Sequence, residues 1–193
     1  LFSGDSVTSG TTYVDQAAET ISRLQARYGI YGCLGDHDYF AGRDLVLDRL
    51  RSSGMVVLEN ETASVPLDKG SIVITGVTNV YRNSLSNGLV DKLASKLPDG
   101  SPRVLLTHQP STWLVERAAE LKYDLFLAGH THGGQIAFPL PGFLLTGSSF
   151  ETKYVTGFYN VGSMFVSVNN GLGLTLAPIR YHAPAEVTLI VLK

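Results

Sequence analysis

Four short stretches concentrate side chains able to hold metal ions: Gly4-Asp5, Gly35-Asp36-His37-Asp38, His108, and Gly129-His130-Thr131-His132-Gly133-Gly134-Gln135. Each follows a run that reads as a strand. Each set therefore sits at a strand's C-terminal end, the edge where α/β folds bind ligands. Carboxylate oxygen combined with imidazole nitrogen suits Mn, Fe or Zn and argues against Ca or Mg alone, which favour all-oxygen shells. His130 and His132 are separated by one residue, so on a turning backbone they point apart. One can then serve each of two neighbouring ions, with Asp5 placed to bridge both. Gly129, Gly133 and Gly134 let the backbone turn tightly and approach the ions. Taken singly, each stretch has a plainer account: Gly-Asp is a common turn, and His108 alone reads as a core histidine. Four of the five histidines stand at strand ends, in this order and beside acidic residues, which makes chance a poor explanation.

Such residues need a frame to bring them together, and the chain alternates strand-like and helix-like runs, the pattern of an α/β architecture. Leu1–Ser3 ends a strand. Val14–Tyr28 reads as an amphipathic helix with Val14, Ala17, Ala18, Ile21, Leu24 and Tyr28 on one face, and Ile30–Leu34 as a buried strand. Asp44–Ser52 reads as a helix stopped by Gly54. Met55–Leu58, Thr62–Leu67 and Ser71–Val77 read as strands, the last two joined by a turn at Asp68-Lys69-Gly70. Leu85–Leu97 and Ser111–Leu121 read as helices, Val104–Thr107 and Leu125–Ala128 as strands. Tyr154–Tyr159, Met164–Val168 and Val187–Leu192 form a strand-rich finish. With no repeat and no low-complexity linker, residues 1–193 read as one domain.

Composition sets the bounds. A chain of 193 residues with 44% hydrophobic content can bury a sizeable core. A net charge of −2 offers no general attraction to nucleic acid or anionic membrane, so phosphate must be bound by a local site, and no nucleic-acid partner is expected. The lone Cys33 excludes an internal disulfide framework and reads as a buried, inert thiol. No run reaches the roughly 20 apolar residues of a membrane span. Arg43 and Arg82 read as solvated surface, His182 as structural, and Arg180 as a packing or carboxylate partner. The apolar stretch Phe138–Leu145 has two readings, contact with an acyl chain or membrane surface and a loop folded onto the core. The second is favoured.

The order Gly4-Asp5, Gly35-Asp36-His37-Asp38, His108 and Gly129-His130-Thr131-His132 resembles the signature of the calcineurin-like metallophosphoesterases. Gly133-Gly134-Gln135-Ile136, Pro141-Gly142, Tyr154-Val155-Thr156-Gly157, Asn170-Gly171-Leu172-Gly173 and Pro178-Ile179-Arg180-Tyr181 are similar to the bacterial, membrane-associated or cell-envelope branch. That branch includes a UDP-2,3-diacylglucosamine pyrophosphohydrolase. The resemblance implies a four-layer αββα sandwich of two mixed sheets. It also implies a phosphoesterase that cleaves phosphate mono-, di- or pyrophosphate esters by attack of a metal-bound hydroxide at a dinuclear centre. Asp5 then matches the bridging carboxylate, and Asp36, His108 and His130 the ligands of the second metal. His132 matches a ligand of the first metal, and His37 a general acid oriented by Asp38.

The resemblance further implies an Asp-x-His strand ahead of Gly4-Asp5 that residues 1–193 lack, so the domain is expected to be N-terminally truncated. The first ion then keeps only Asp5 and His132. The complete protein is expected to hold two divalent ions (Mn, Fe or Zn) and this chain one. Asp36 stands where the family places Asn. The implied partner is a phosphorylated small molecule or a lipid-linked phosphate, and the implied location is the membrane or cell envelope, with the cytoplasm as alternative. A catalytically impaired metal-binding or scaffold protein of the same fold is the competing reading.

Overall fold

The computed structural model describes residues 1–193 except Arg82, Ser84 and Lys193, and the side chains of Asn87 and Phe143. Two sheets carry the site. The larger has six strands in the order β3 (Glu61–Pro66), β4 (Ser71–Val77), β5 (Arg103–Thr107), β6 (Leu125–Ala128), β10 (Met164–Val168) and β9 (Gly157–Val161). Its four central strands run parallel, and β3 and β9 close the edges antiparallel. In the smaller sheet β1 (Ile30–Gly32) pairs parallel with β2 (Met55–Val57), and Phe2 adds a bridge to Gly32.

Strand side chains alternate between faces, and the alternation builds the layers. Val73, Leu105 and Phe126 point to one side of the large sheet, where they pack with Val90 and Ala94 of α3 (Asn87–Ala94) and Leu114, Val115 and Ala118 of α4 (Thr112–Glu120). Ile74, Val104, Leu106 and Leu125 point to the other side and meet Cys33 and Leu58, which directly follow the two strands of the small sheet. Beyond that sheet lies a third cluster, Leu34, Met55 and Val57 against Val14 and Ile21 of α1 (Val14–Ser22) and Val46, Leu47 and Leu50 of α2 (Asp36–Ser52). The order helix, sheet, sheet, helix is the αββα sandwich. Among the described residues no helix is long and apolar enough to cross a membrane.

Several element ends differ from the sequence reading. α1 stops at Ser22, and Leu24 and Tyr28 are exposed rather than on its buried face. Hydroxyls of Thr20 and Ser22 donate to carbonyls of their own helix there, a local competition that weakens a helix end. α2 begins at Asp36, not Asp44, and is broken at Gly42, whose φ of 122° no helix contains. Its early start is held by the Asp38 carboxylate, which reaches back to the N–H of Gly35 at 2.9 Å. A hairpin of β7 (Phe138–Leu140) and β8 (Phe143–Leu145) occupies the apolar stretch, turning at Pro141-Gly142 with Gly142 in a left-handed conformation.

Residues 187–192 join no ladder among the described residues. Val187, Leu189 and Val191 face solvent and Ile190 packs against the inter-sheet cluster. The alternation read as a strand is present, but an extended segment becomes a strand only beside a hydrogen-bonding neighbour. An apolar cleft of about 610 Å3 separates this segment from Leu1–Ser3, floored by Val104, Leu106 and Leu125.

Candidate metal centre

The centre forms where strand ends of both sheets meet. From the small-sheet side come Asp5, after Phe2, and Asp36, which opens α2. From the large sheet come His108, after β5, and His130, after β6. The loop before Asp5 is locked by Asp38, whose carboxylate accepts from the N–H groups of Asp5, Ser6 and Gly35 at 2.8–2.9 Å and from the Ser6 hydroxyl at 2.6 Å. Burial pushes the Asp38 carboxyl up, against the donors from Ser6 and Gly35. Asp5, His130 and His132 all have left-handed backbones, with φ of 57°, 69° and 52°. Such conformations cost non-glycine residues energy and persist where surrounding contacts impose them.

Asp36, His108 and His130 each offer one ligand atom within 4.8 Å of the others. The His130 Nδ1 lies 2.9 Å from Asp36 Oδ2, and the His108 Nε2 lies 3.3 Å from both Asp36 Oδ2 and Asp5 Oδ2. The outer ring nitrogens decide what the inner ones can do. The Nδ1–H of His108 donates to the Ser3 carbonyl at 2.7 Å, and the Nε2–H of His130 donates to Glu151 at 3.0 Å. With those protons placed outward, His108 Nε2 and His130 Nδ1 become the nitrogens that a cation can take in place of a proton. They face each other at 3.2 Å beside two carboxylate oxygens. Three such atoms from Asp36, His108 and His130, with Asp5 Oδ2 beside His108, suit a cation, and nitrogen with oxygen suits a transition metal. The donor set therefore fits a divalent ion held by Asp36, His108 and His130, with Asp5 alongside.

Protons answer the same field. Burial alone would lower the His108 pKa, but hydrogen bonds to Asp36 and Asp5 outweigh it and push it up to about 10. Burial would raise the Asp5 and Asp36 carboxyls, yet His108 holds both below the usual carboxylate range, with His130 adding to the effect on Asp36. Asp36 is further fixed by the Tyr81 N–H at 2.6 Å and the Gln109 amide at 2.9 Å.

The other expected residues lie around this core. His132 stands outside the three-residue cluster. Its Nδ1 is 3.3 Å from the Gly173 carbonyl, and burial lowers its pKa. His37 binds Asp5 through its backbone N–H at 2.8 Å, and its ring meets Phe40 edge-on. Both histidines line an outer cleft of about 570 Å3, with Asp5, Asp36 and His130 at its base. Arg180 is a structural hub. It donates to carbonyls of His132, Ala183, Asn170, Gly171 and Gly173, tying the histidine loop to the 170–173 loop. Arg43 pairs with Glu59 and Asp44 at the surface, Arg82 lies outside the described residues, and Cys33 is a free, buried thiol. Sequence reasoning missed Tyr81, Gln109, Glu151 and the Ser3 carbonyl. Of these only Gln109, directly after His108, had a signal in its position.

No protein-family model matches the chain. The chain is 32% identical over 197 residues to the metallophosphoesterase YkuE of Bacillus subtilis, covering 100% of this chain and 67% of that protein. The chain belongs to the metallophosphoesterase family. As a metallophosphoesterase it is a hydrolase. It is also 28% identical over 182 residues to the phosphodiesterase YaeI of Escherichia coli, across 91% of this chain and 62% of that one. A Staphylococcus aureus protein solved under the name 5'-nucleotidase superposes with a TM-score of 0.56 at 11% identity. The match takes in 80% of this metallophosphoesterase and 34% of that chain, and it supports the shared fold.

Proposed function

We propose that this metallophosphoesterase hydrolyses phosphate ester bonds of a small molecule at a centre of two divalent ions. The single observation carrying the reading is the convergence of ligand atoms from Asp36, His108 and His130, with Asp5 Oδ2 beside His108, at an open cleft. Asp36, His108 and His130 would hold one ion, with Asp5 shared and His132 turned toward the second. When bound, the ions supply Lewis acidity toward phosphoryl oxygens and lower the pKa of water to about 7.

The chain's own residues do the rest. The outer cleft would admit the phosphate group, and His37, which lines it, is the proposed proton donor to the leaving oxygen. Asp38 serves by holding the Gly4–Ser6 loop, and so Asp5, in place. Asp5 and His132 are two donors where a catalytic ion uses at least three protein ligands, so the second ion draws on donors outside this set. The YaeI name supports phosphodiesters as the first class to test. Lipid-linked phosphates and a place at the membrane or cell envelope remain part of the proposal, because the exposed Phe138, Leu140 and Leu145 flank the histidine loop.

The test combines elemental analysis with hydrolysis of mono-, di- and pyrophosphate ester panels. His108→Ala and His130→Ala should each lose the tightly held ion and at least about 100-fold in turnover, the scale of removing a group that stabilises transition-state charge. Unchanged metal content in both variants, or full turnover in excess chelator, would overturn the reading.

A further inference from the structure

Both imidazoles turn a nitrogen to Asp36, but their outer supports differ. His108 is buried, and its Nδ1–H ends on a backbone carbonyl, Ser3. Among the described residues His130 has no such backbone partner. Its Nε2 lies 3.0 Å from Glu151 and 3.3 Å from the Tyr81 hydroxyl, while its own backbone is in the left-handed region. An imidazole free to exchange tautomers could place its proton on Nδ1, directed at Asp36. That tautomer satisfies Asp36 but blocks a cation.

Glu151 arrives at His130 by a route of its own. It directly follows a 3-10 turn, Gly147–Phe150, capped by Thr146, whose hydroxyl accepts from the Ser149 N–H. Within that turn the Ser148 hydroxyl donates to the Thr131 carbonyl at 3.1 Å, and just after it the Thr152 hydroxyl donates to the Pro110 carbonyl at 2.6 Å. The segment carrying Glu151 is thus fastened to the histidine loop on one side and to the loop after His108 on the other. Neither anchor requires Glu151, so its carboxylate is held in front of His130 by contacts that do not depend on it.

We infer that Glu151 is a positioning residue that keeps the His130 proton on Nε2 and so leaves Nδ1 bare for the metal. The inference rests on the metal-centre reading above. A carboxylate accepting from the outer N–H of a ligating histidine fixes ring and tautomer and makes the ligand nitrogen more basic. Removing such a partner costs about 10–100-fold in metal affinity. Glu151 is about half exposed, which places the expected loss at the low end.

The experiment uses two readouts on the parent chain, Glu151→Ala and Glu151→Gln. Zn affinity is measured by competition with a chromogenic chelator, and the His130 tautomer in the metal-free protein by long-range nitrogen–proton NMR. Glu151→Ala should bind Zn about 10-fold more weakly and shift His130 from the Nε2–H form toward a tautomer mixture. Glu151→Gln, whose amide oxygen still accepts a hydrogen bond from Nε2–H, should recover most of the affinity and the parent tautomer. Affinity of Glu151→Ala within about twofold of the parent, or an unaltered tautomer, would overturn the inference, as would a Gln variant as impaired as Ala. Should the parent itself fail to bind Zn, the metal-centre reading falls, and the NMR readout still decides whether Glu151 sets the tautomer.

Discussion

His108 holds a place for which a proton and the proposed metal ion would compete. Without metal, its proton is retained because Asp5 and Asp36 face Nε2, raising its pKa to about 10 from an ordinary 6.5. A group whose folded pKa is raised stabilises the fold fully below its unfolded pKa and loses that contribution as pH rises through the folded value. The metal-free protein should therefore show a melting temperature that falls between pH 6.5 and about 10. Asp36→Asn, which removes one of the two carboxylates, should flatten the fall. Equal slopes for both proteins in thermal melts with chelator would contradict this account. The candidate donors themselves could be picked out in the sequence, because Asp5, Asp36, His108 and His130 each follow a strand and carry side chains capable of metal chemistry. Their supports could not. Glu151 and the Tyr81 hydroxyl reach His130 across 21 and 49 residues, a proximity that only the packed chain creates.

At the level of elements, the site depends on two loops that touch through their backbones. Gly35 has an ordinary φ of −108°, so its lack of a side chain is not a matter of conformation. A Cβ there would lie 2.1 Å from Asp5 Oδ1 and 2.4 Å from the Asp5 nitrogen. Gly35→Ala should therefore displace Asp5, lower stability by about 1–3 kcal/mol, the usual range for overpacking, and reduce metal retention. Calorimetry and elemental analysis check both effects, and wild-type values in each would exclude a tight contact. Element ends were less readable than elements. The large sheet's parallel strands announced themselves as short apolar runs, whereas α2 starts eight residues early because the Asp38 carboxylate, part of a site motif, doubles as its first-turn acceptor. Residues 187–192 kept their alternation but pair with no strand among the described residues.

Across the whole molecule, the donors come from both sides of the interface between the two sheets. The alternating apolar pattern made that layered frame readable, whereas the loop-to-loop ties that aim the donors, such as Arg180, were set by tertiary packing. A ligand bound only by the folded state stabilises it by mass action, about 2.7 kcal/mol at 100 times its dissociation constant. Added Zn or Mn should raise the melting temperature, with His108→Ala responding least, and a metal-independent melting temperature would refute the coupling. The placement of the donors has a mechanical corollary. A bound ion would act as a rivet through two plates that also adhere by their greasy inner surfaces and by a few hydrogen bonds at the rim. Pulling it leaves both plates formed but freer to part, so a metal-starved molecule should be cut by proteases first along the seam between them, and local metal supply would set how long the molecule lasts.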